Sequence, residues 1–346
     1  MSTQIKEIVI ENAPEISGLT FRGFGGEEDL PGMLAVYKAA MTADGLEASD
    51  TLEEIANNYR HLERCDPFTD MIMAEFNGEM IAYGRCWYDV DLEDNYLYGF
   101  FINLRPAWRN KGVGKSMAAW LINRISQIAL DHPENAAKFI QIWISDVQKW
   151  QTGLIESLGF QPVRYSYEMV RPCAEPITAL PLPEGIEVRP ITPDLMRQVW
   201  EAETEAFRDH WGYIEPTEES YTRWLERPHR KPAYWKVAFE GDEVVGMVRN
   251  FIDQNENDDQ NRKRGYTENI SVRRPWRRQG IARALLTQSI QMFQEMGMEE
   301  TSLGVDTENP NGALELYTDV GYRKLRTWIT YRKPLTKSGE NHGSGS

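Results

Sequence analysis

The sequence predicts two tandem mixed α/β domains, each with a sheet flanked by helices. Three observations lead to this fold class. The chain has 346 residues, more than the roughly 250 to 300 at which a single hydrophobic core stops growing. In each half, strand-like runs are combined with one long amphipathic helical stripe. Short motifs of the first half return in the same order in the second half, roughly 165 residues later.

Three pairs of motifs carry this repeat. A turn between two strand-like runs, a glycine-containing loop and a Gly-aromatic pair occur once in each half. The pairs are 76–79 (FNGE) with 239–242 (FEGD), 109–114 (RNKGVG) with 277–282 (RRQGIA), and Gly159-Phe160 with Gly321-Tyr322. A duplicated domain explains the conserved order, and loops of different length explain the variable spacing.

Apolar and alternating runs predict four strands in each half. They cover 72–76, 80–87, 96–104 and 139–144 in the first half, and 235–239, 244–251, 267–272 and 301–305 in the second. After the third strand, an apolar stripe with helical spacing predicts a long helix, from Val113 to Ile128 and from Ile281 to Phe293. Both halves share one order: helices, a hairpin, a third strand, a Gly-containing turn, a long helix, a fourth strand, a short helix and a last hairpin.

A proline-rich segment separates the halves. Pro176, Pro181 and Pro183 disfavour helix and sheet alike, which is typical of a semi-rigid linker. We therefore expect a first domain over 1–172, a linker over 173–185 and a second domain over 186–336. The polar, Gly/Ser-rich tail, 337–346, is expected to be disordered.

Composition excludes several function classes. A net charge of −15 disfavours nucleic acid and anionic membrane surfaces as partners, although such acidity also serves solubility alone. The sequence shows neither a membrane span nor a signal peptide, so a cytoplasmic protein is expected. Three widely spaced cysteines without a C-x-x-C pair or a histidine cluster predict neither structural disulfides nor a metal site.

The strand–R-x-x-G-x-(G/A)–helix unit, present in both halves, is the strongest local signal. Glycine permits close backbone approach, and a helix that begins there directs unpaired N–H groups and the positive end of its dipole at an anion. A pyrophosphate fits such a site. Neither the triphosphate loop motif nor the G-x-G-x-x-G dinucleotide motif is present. One copy alone would be compatible with an ordinary strand-to-helix turn; two copies in the same context favour a ligand site.

This arrangement resembles the acetyl-CoA loop of the GCN5-related N-acetyltransferase (GNAT) family, over nearly the whole chain. The resemblance implies two GNAT domains, each a twisted, mostly antiparallel mixed sheet that opens between its fourth and fifth strands to hold acetyl-CoA as cosubstrate. Within the family, the paired architecture and the segment 207–212 (FRDHWG) are similar to mycothiol synthase and its relatives. The residues implied as cofactor-binding are Ile270, Ser271, Val272, Arg277, Arg278, Gln279, Gly280, Ile281, Ala282, Arg283 and Asn311 in the second half, and Leu104, Arg109, Asn110, Lys111, Gly112, Val113, Gly114 and Lys115 in the first.

Acetyl transfer to an amine requires a base for the ammonium proton and an acid for the departing thiolate. By the period-2 rule, Tyr266, Glu268, Ile270 and Val272 share one face of the strand before the second loop, and Glu268 is the candidate base. The short helix before Gly321 is similar to the family pattern, which makes Tyr317 the candidate acid. The alternatives are a solvated strand carboxylate and a packing tyrosine.

The first half lacks both groups. Alignment on the loops places Phe100 opposite Glu268 and Ile155 opposite Tyr317, and neither side chain transfers a proton. Lys149 replaces Asn311. We therefore expect a non-catalytic first domain that retains CoA binding and serves as scaffold or regulator.

Acceptor-binding residues are expected before the first strand of the second half: Asp209, His210, Trp211 and Tyr213. An aromatic amine site and a structural aromatic cluster both fit them, and His210 is an alternative base. The sequence thus favours direct acetyl transfer to a small primary amine in a ternary complex, by a monomer or homodimer. The alternatives are a longer acyl group, a protein amine as acceptor, and a non-enzymatic acyl-CoA-binding protein.

Overall fold

A computed structural model describes residues 6–226 and 231–336. Two compact units are present. The first contains the described residues up to Val163 and those from Ile329 onward; the second covers Arg164–Trp328. Both are mixed α/β units with mostly antiparallel, twisted sheets flanked by helices, which confirms the predicted fold class.

The first unit begins with a short strand and three helices that precede the predicted hairpin. Its long helix follows the third predicted strand, and a parallel strand follows that helix. The elements are β1 (Leu19–Arg22), α1 (Leu30–Ala43), α2 (Leu52–Arg60), α3 (Pro67–Asp70), β2 (Met71–Phe76), β3 (Glu79–Val90), β4 (Tyr96–Leu104), α4 (Val113–Ile128), β5 (Lys138–Ser145), α5 (Lys149–Ser157) and the first residues of β6 (Gln161–Pro172).

The second unit repeats this order with two differences. Among its described residues, no α-helix corresponds to α3 before the hairpin, and one short helix is added between its second and third main strands. The elements are β7 (Ile186–Arg189), α6 (Met196–Phe207), α7 (Glu218–Leu225), β8 (Lys236–Glu240), β9 (Glu243–Phe251), α8 (Gln254–Gln260), β10 (Arg264–Val272), α9 (Ile281–Glu295), β11 (Glu300–Asp306), α10 (Ala313–Asp319) and the first residues of β12 (Arg323–Pro334).

The last strand of each half completes the sheet of the other unit. The strand order is β1-β2-β3-β4-β5-β12 in the first unit and β7-β8-β9-β10-β11-β6 in the second. In the second unit, β6 pairs antiparallel with β11 from Ser166 to Pro172. In the first, Arg332 donates to the side chain of Gln141 on β5, and Tyr331 lies in the core. The predicted last hairpin is therefore wrong: each half ends in one long strand.

The expected boundary at the linker, 173–185, differs from the division into compact units. The chain passes between the units at 163/164 and again at 328/329, because the final strands are exchanged. The expected disorder of 337–346 concerns residues outside those that the structure describes. No helix in the described ranges is long and apolar enough to cross a membrane.

In both units, the long helix covers one face of the sheet and the first helix covers the other. In the first unit, Met117, Leu121 and Ile125 of α4 are fully buried against Phe100 and Ile102 of β4. On the opposite face, Met33 and Val36 of α1 pack against Met71 and Met73 of β2. The two clusters show which strand residues face the long helix and which face the first helix. This division determines on which face of the sheet each candidate site residue lies.

Candidate active site

An opening between two parallel strands is the central feature of the second unit. The strands β10 and β11 pair at three positions, from Arg264 to Tyr266 on β10, although β10 continues to Val272. The phenol of Tyr322 joins them where the pairing ends, at 2.9 Å from Thr267 Oγ1 and as an acceptor from Thr301 Oγ1 at 2.8 Å. The strands are thus held together at one end, and a ligand can enter at the other.

A β-bulge lies on β10 beside this opening. The pairing with β9 shifts by one residue between Glu268 and Ser271, and Asn269 has a left-handed backbone with φ of 50°. A bulge leaves the extra residue outside the ladder and re-aims the side chains that follow. Backbone N–H groups at Asn269 and Ile270 therefore lie beyond the regular β9–β10 pairing.

The bulge corrects one prediction about this strand. Tyr266 and Glu268 do not share a face with Ile270 and Val272, because the extra residue reverses the alternation. Ile270 and Val272 pack toward Ile281 and Leu285 of α9. Glu268 lies on the opposite face, is exposed, and pairs in register with Arg249 of β9.

The same bulge changes which residue of the first unit corresponds to Glu268. In the first unit β3 and β4 pair without a shift, and Phe101 lies opposite Arg85 as Glu268 lies opposite Arg249. Phe100, the counterpart expected from sequence, instead packs in the core against α4. The assignment to Phe100 is wrong by one residue, but a phenylalanine still stands where the second unit has a carboxylate.

A buried ion pair lies beside the bulge. Arg249 Nε is 2.6 Å from Glu203 Oε2, and Arg249 Nη2 donates to Glu203 Oε1 at 2.8 Å. The Asn269 side-chain amide donates to the same carboxylate. Since Glu203 belongs to α6, this pair connects the helix with β9, and the Asn269 amide joins the bulge to them.

Tyr317 lies on α10 in the core cluster that lines the β11 side of the opening. It is 6% exposed, and Ile270 of β10 and Leu303 of β11 belong to the same cluster. Burial, and then the nearby phenol of Tyr322, raises the pKa of Tyr317 well above its ordinary value. The side chain is therefore a neutral phenol at neutral pH, which can donate a proton.

The two glycine loops have the same backbone geometry. Asn110 and Gly112 are left-handed in the first unit, with φ of 63° and 85°, and Arg278 and Gly280 have φ of 63° and 86° in the second. Each loop ends at a helix whose first N–H groups have no acceptor within the helix. Both loops thus present backbone donors and a helix dipole, as the sequence predicts for an anion site.

The arginines that open these loops bind carboxylates of their own unit. Arg109 donates to both carboxylate oxygens of Asp44, at 2.7 and 2.8 Å. Arg277 donates to Asp209 at 2.5 Å, and Arg274 also pairs with Asp209. These contacts lower the pKa of Asp209, with the Arg274 hydrogen bond as the largest cause. In each unit the arginine connects the loop to the end of the first α-helix, so the position of the arginine is explained without a ligand.

The space above the two loops differs. No described residue lies within 4 Å of where a side chain at Gly280 would begin, whereas a side chain at Gly112 would contact Pro14 at 3.5 Å. Trp150 packs over Gly114, 2.6 Å from the position of an added Cβ, and over Arg109. Its counterpart in the second unit, nine residues before Gly321, is Gly312. A tryptophan ring therefore covers the loop in the first unit, and a glycine leaves it open in the second.

The expected acceptor residues lie together near the end of β11 but are engaged in contacts. His210 packs on Phe207 with ring centroids 4.5 Å apart, and burial lowers its pKa, so the imidazole is neutral at neutral pH. Trp211 lies against the guanidinium of Arg164 at 5.3 Å, and Arg164 pairs with Asp306 at 2.8 Å. Trp211 remains 39% exposed, which leaves it available to a ligand.

The remaining predicted residues lie along the two loops. In the second unit, Arg283 pairs with Asp319, and Gln279 donates to the Pro275 carbonyl. Asn311 Oδ1 accepts from Arg277 at 3.4 Å. Ser271 and Ile281 are buried, and Ala282 is partly exposed. In the first, Lys111 lies 4.6 Å from the Trp108 ring, Leu104 and Val113 are core residues, and Lys115 is exposed. Tyr213 is partly buried, and burial raises its pKa.

Sequence reasoning missed the charged groups on the α6 face of the second unit. Besides Glu203 and Arg249, Glu256 of α8 binds Arg262 and the phenol of Tyr266. One signal for this ion pair was present in the sequence. Glu203 lies on the apolar side of its helix, with Val199 and Ala202, where an unpaired carboxylate is rare. No cluster of three or more potential metal ligands occurs within residues 6–226 and 231–336.

Comparison with known proteins places these features in a family. The model of the family described as acetyltransferase (GNAT) matches residues 33–160 and again 196–322. The mycothiol acetyltransferase of Thermobispora bispora is 24% identical over 307 residues, covering 88% of this chain and 96% of that protein. The mycothiol acetyltransferase of Geodermatophilus obscurus is 22% identical over 306 residues, covering 87% and 93%.

Solved structures agree with the fold. A GCN5-related N-acetyltransferase from Sphaerobacter thermophilus superimposes with a TM-score of 0.68 at 26% identity, covering 92% of this chain and 96% of that one. A tandem GNAT protein from the clavulanic acid biosynthesis pathway gives a TM-score of 0.62 at 14% identity, covering 92% and 99%. The second likeness concerns the fold alone.

Proposed function

Since the chain belongs to the acetyltransferase (GNAT) family, we propose that it transfers an acetyl group from acetyl-CoA to a primary amine of a small molecule, with the chemistry in the second unit. The single observation that carries this assignment is the difference between Glu268 and Phe101. Both face the corresponding arginine on the neighbouring strand, and only Glu268 can accept a proton.

The second unit also fits the cosubstrate where the first does not. The left-handed residues at Arg278 and Gly280, the helix N-terminus at Ile281 and the open space above Gly280 suit a pyrophosphate. In the first unit, Trp150 and Pro14 occupy the corresponding space. We therefore propose one acetyl-CoA per chain, in place of the expected retained site in the first unit.

Each residue of the site has a distinct role in this proposal. Acetyl-CoA supplies an activated thioester. Glu268 accepts the ammonium proton of the acceptor, through a bridging water where the two groups are too far apart for direct contact. Assistance of this kind is needed, since a carboxylate with an ordinary pKa near ~4 is a weak base for an amine with a pKa near ~10. Backbone N–H groups at the bulge stabilise negative charge on the carbonyl oxygen. Tyr317 donates its proton to the departing thiolate.

The acceptor is proposed to be a cationic amine that approaches from the α6 face. Glu268 is exposed there, and the chain carries a net charge of −15, which attracts cations. The relatives named mycothiol acetyltransferase support a small-molecule acceptor. His210 is a weaker candidate for the base, because it packs on Phe207 in the segment after α6 whereas Glu268 lies beside the bulge.

Glu268→Gln and Tyr317→Phe test this proposal in the full chain. We expect each to lower kcat by about 10²- to 10⁴-fold while acetyl-CoA affinity changes by less than threefold. The matched controls are Glu187→Gln, an exposed strand glutamate, and Tyr331→Phe, a buried tyrosine of the first unit. Wild-type kcat in both catalytic variants would contradict the assignment, and acetyl-CoA binding without turnover of any amine in the wild type would favour a non-enzymatic binding protein.

A further inference from the structure

Two arginines occupy equivalent positions in the two units but differ in their electrostatic partners. Arg85 on β3 faces Phe101, and Arg249 on β9 faces Glu268, in matching strand registers. Both guanidinium groups lie among aromatic rings: Arg249 is 5.4 Å from the Trp224 ring centroid and 5.6 Å from that of Trp235. The two sites therefore share the position of the arginine and differ in the residue opposite it.

The carboxylate that neutralises Arg249 has no counterpart in the first unit. The Ala40 carbonyl of α1 accepts from Arg109, and the Ala206 carbonyl of α6 accepts from Arg277. Because the two arginines open equivalent loops, Ala40 and Ala206 are equivalent positions in the two helices. Three residues earlier, α6 carries Glu203 and α1 carries Tyr37. Tyr37 interacts with Asp50, and burial and that carboxylate raise the pKa of its phenol. A phenol thus replaces the counter-ion.

Arg85 consequently lacks the carboxylate partner that Arg249 has. It lies 5.1, 5.6 and 5.4 Å from the ring centroids of Tyr59, Trp87 and Phe101. Within residues 6–226 and 231–336 it forms no ion pair, and its Nε is buried without a hydrogen bond. The Tyr59 hydroxyl is also buried; burial raises the pKa of this phenol to about 12, and the nearby Arg85 guanidinium opposes that effect. Aromatic faces attract a cation but offer no acceptor for its N–H groups.

A guanidinium whose Nε is buried without a hydrogen bond is costly to the protein, and a carboxylate is the group that satisfies it best. The planar fork of arginine matches a carboxylate with two parallel hydrogen bonds. The surrounding rings would contact the apolar body of an organic acid, which an inorganic anion lacks. Trp87 is held in place because its ring packs directly over Gly99, 2.4 Å from the position of an added Cβ.

We propose that the first unit binds a small organic carboxylate at Arg85, between the rings of Tyr59, Trp87 and Phe101. The carboxylate takes the place that Glu203 has at Arg249. Tyr59 donates a further hydrogen bond from its hydroxyl. The first unit is then a ligand-binding domain in its own right, and this inference does not depend on acyl transfer in the second unit.

Benzoate is a suitable probe, because it joins a carboxylate to a flat apolar ring. Titration of the full chain by calorimetry, with saturation-transfer NMR as a second readout, should show saturable benzoate binding. Benzamide, which has the same shape without the charge, should bind at least tenfold more weakly. Inorganic phosphate should bind more weakly than benzoate, and equal or tighter phosphate binding would overturn the carboxylate assignment.

Arg85→Met removes the charge and keeps an apolar stem of similar length. Benzoate affinity should fall at least tenfold in this variant and stay within twofold in Arg64→Met, a control whose arginine lies over Tyr88 but pairs with Asp89. The melting temperature of Arg85→Met should equal or exceed that of the wild type, because the variant loses a charge that has no ion pair and whose Nε is buried without a hydrogen bond. Absence of saturable benzoate binding, unchanged affinity in Arg85→Met, or a clear drop in its melting temperature would each overturn the proposal.

Discussion

The buried pair between Glu203 and Arg249 gives the most quantitative prediction. Arg249→Met removes the cation from beside the Glu203 carboxylate, whose side chain is 10% exposed and which still accepts from the Asn269 amide. Breaking a buried ion pair on one side costs about 3 to 5 kcal/mol. Because both side chains keep some contact with solvent, we expect about 2 to 4 kcal/mol for the second unit.

Replacement of both partners should cost less than replacement of one. Glu203→Leu with Arg249→Met exchanges two charges for apolar groups of similar length and leaves neither charge unpaired, so the double variant should regain at least half of the loss. At roughly 2 to 4 °C per kcal/mol for a domain of this size, Arg249→Met should lower the melting temperature by about 5 to 15 °C.

Thermal and urea unfolding followed by tryptophan fluorescence measure these effects, since Trp224 and Trp235 lie directly beside Arg249. Arg85→Met in the first unit is the matched control, because Arg85 also lies among aromatic rings but has no carboxylate partner. A loss below about 1 kcal/mol for Arg249→Met, or additive losses in the double variant, would refute the reasoning that one charge stabilises the other.

Three further changes test the packing and titration of the two units. Gly265→Ala places a Cβ 2.5 Å from the Phe293 ring and should destabilise the second unit by about 1 to 3 kcal/mol in urea unfolding, whereas Gly304→Ala, where no described atom lies within 4 Å, should not. Truncation after Trp328 removes Ile329 and Tyr331 from the first core and should abolish the unfolding transition of the first unit; an intact transition would contradict the strand exchange. Burial lowers the pKa of His132, which packs among Tyr88, Tyr96 and Tyr98, so its contribution to stability should be present above pH ~6.5 and lost as the pH falls below it. His132→Gln should flatten melting temperature against pH in that range, and an unchanged profile would refute the assignment.

Much of the fold follows from local signals. The predicted strand 96–104 matches β4 at both ends, and the other predicted strands agree with the observed bounds within three residues. The glycine loops follow from residue chemistry, because left-handed geometry at Gly112 and Gly280 and an adjoining helix are local properties. Glu268 and Tyr317 follow from the family pattern, and their catalytic roles remain predictions.

Non-local features did not follow from the sequence. The bulge at Asn269 brings that residue into contact with Glu203, which is distant in sequence, and the alternation of β10 could not be read across it. The exchange of β6 and β12 depends on which sheet edge each strand meets, and both strands have similar patterns. Trp150 over Gly114 and Tyr37 in place of Glu203 are differences in packing between duplicated units, which become visible only when the two are compared.

The central claim is that the second unit alone holds the cosubstrate beside its proton-transferring residues. Calorimetric titration of the full chain with acetyl-CoA tests it most directly, together with Gly280→Glu and Gly112→Glu, each of which places a carboxylate in one loop. We predict one site per chain, lost in Gly280→Glu and unchanged in Gly112→Glu. Two sites in the wild type, or one site that is lost in Gly112→Glu, would contradict the account.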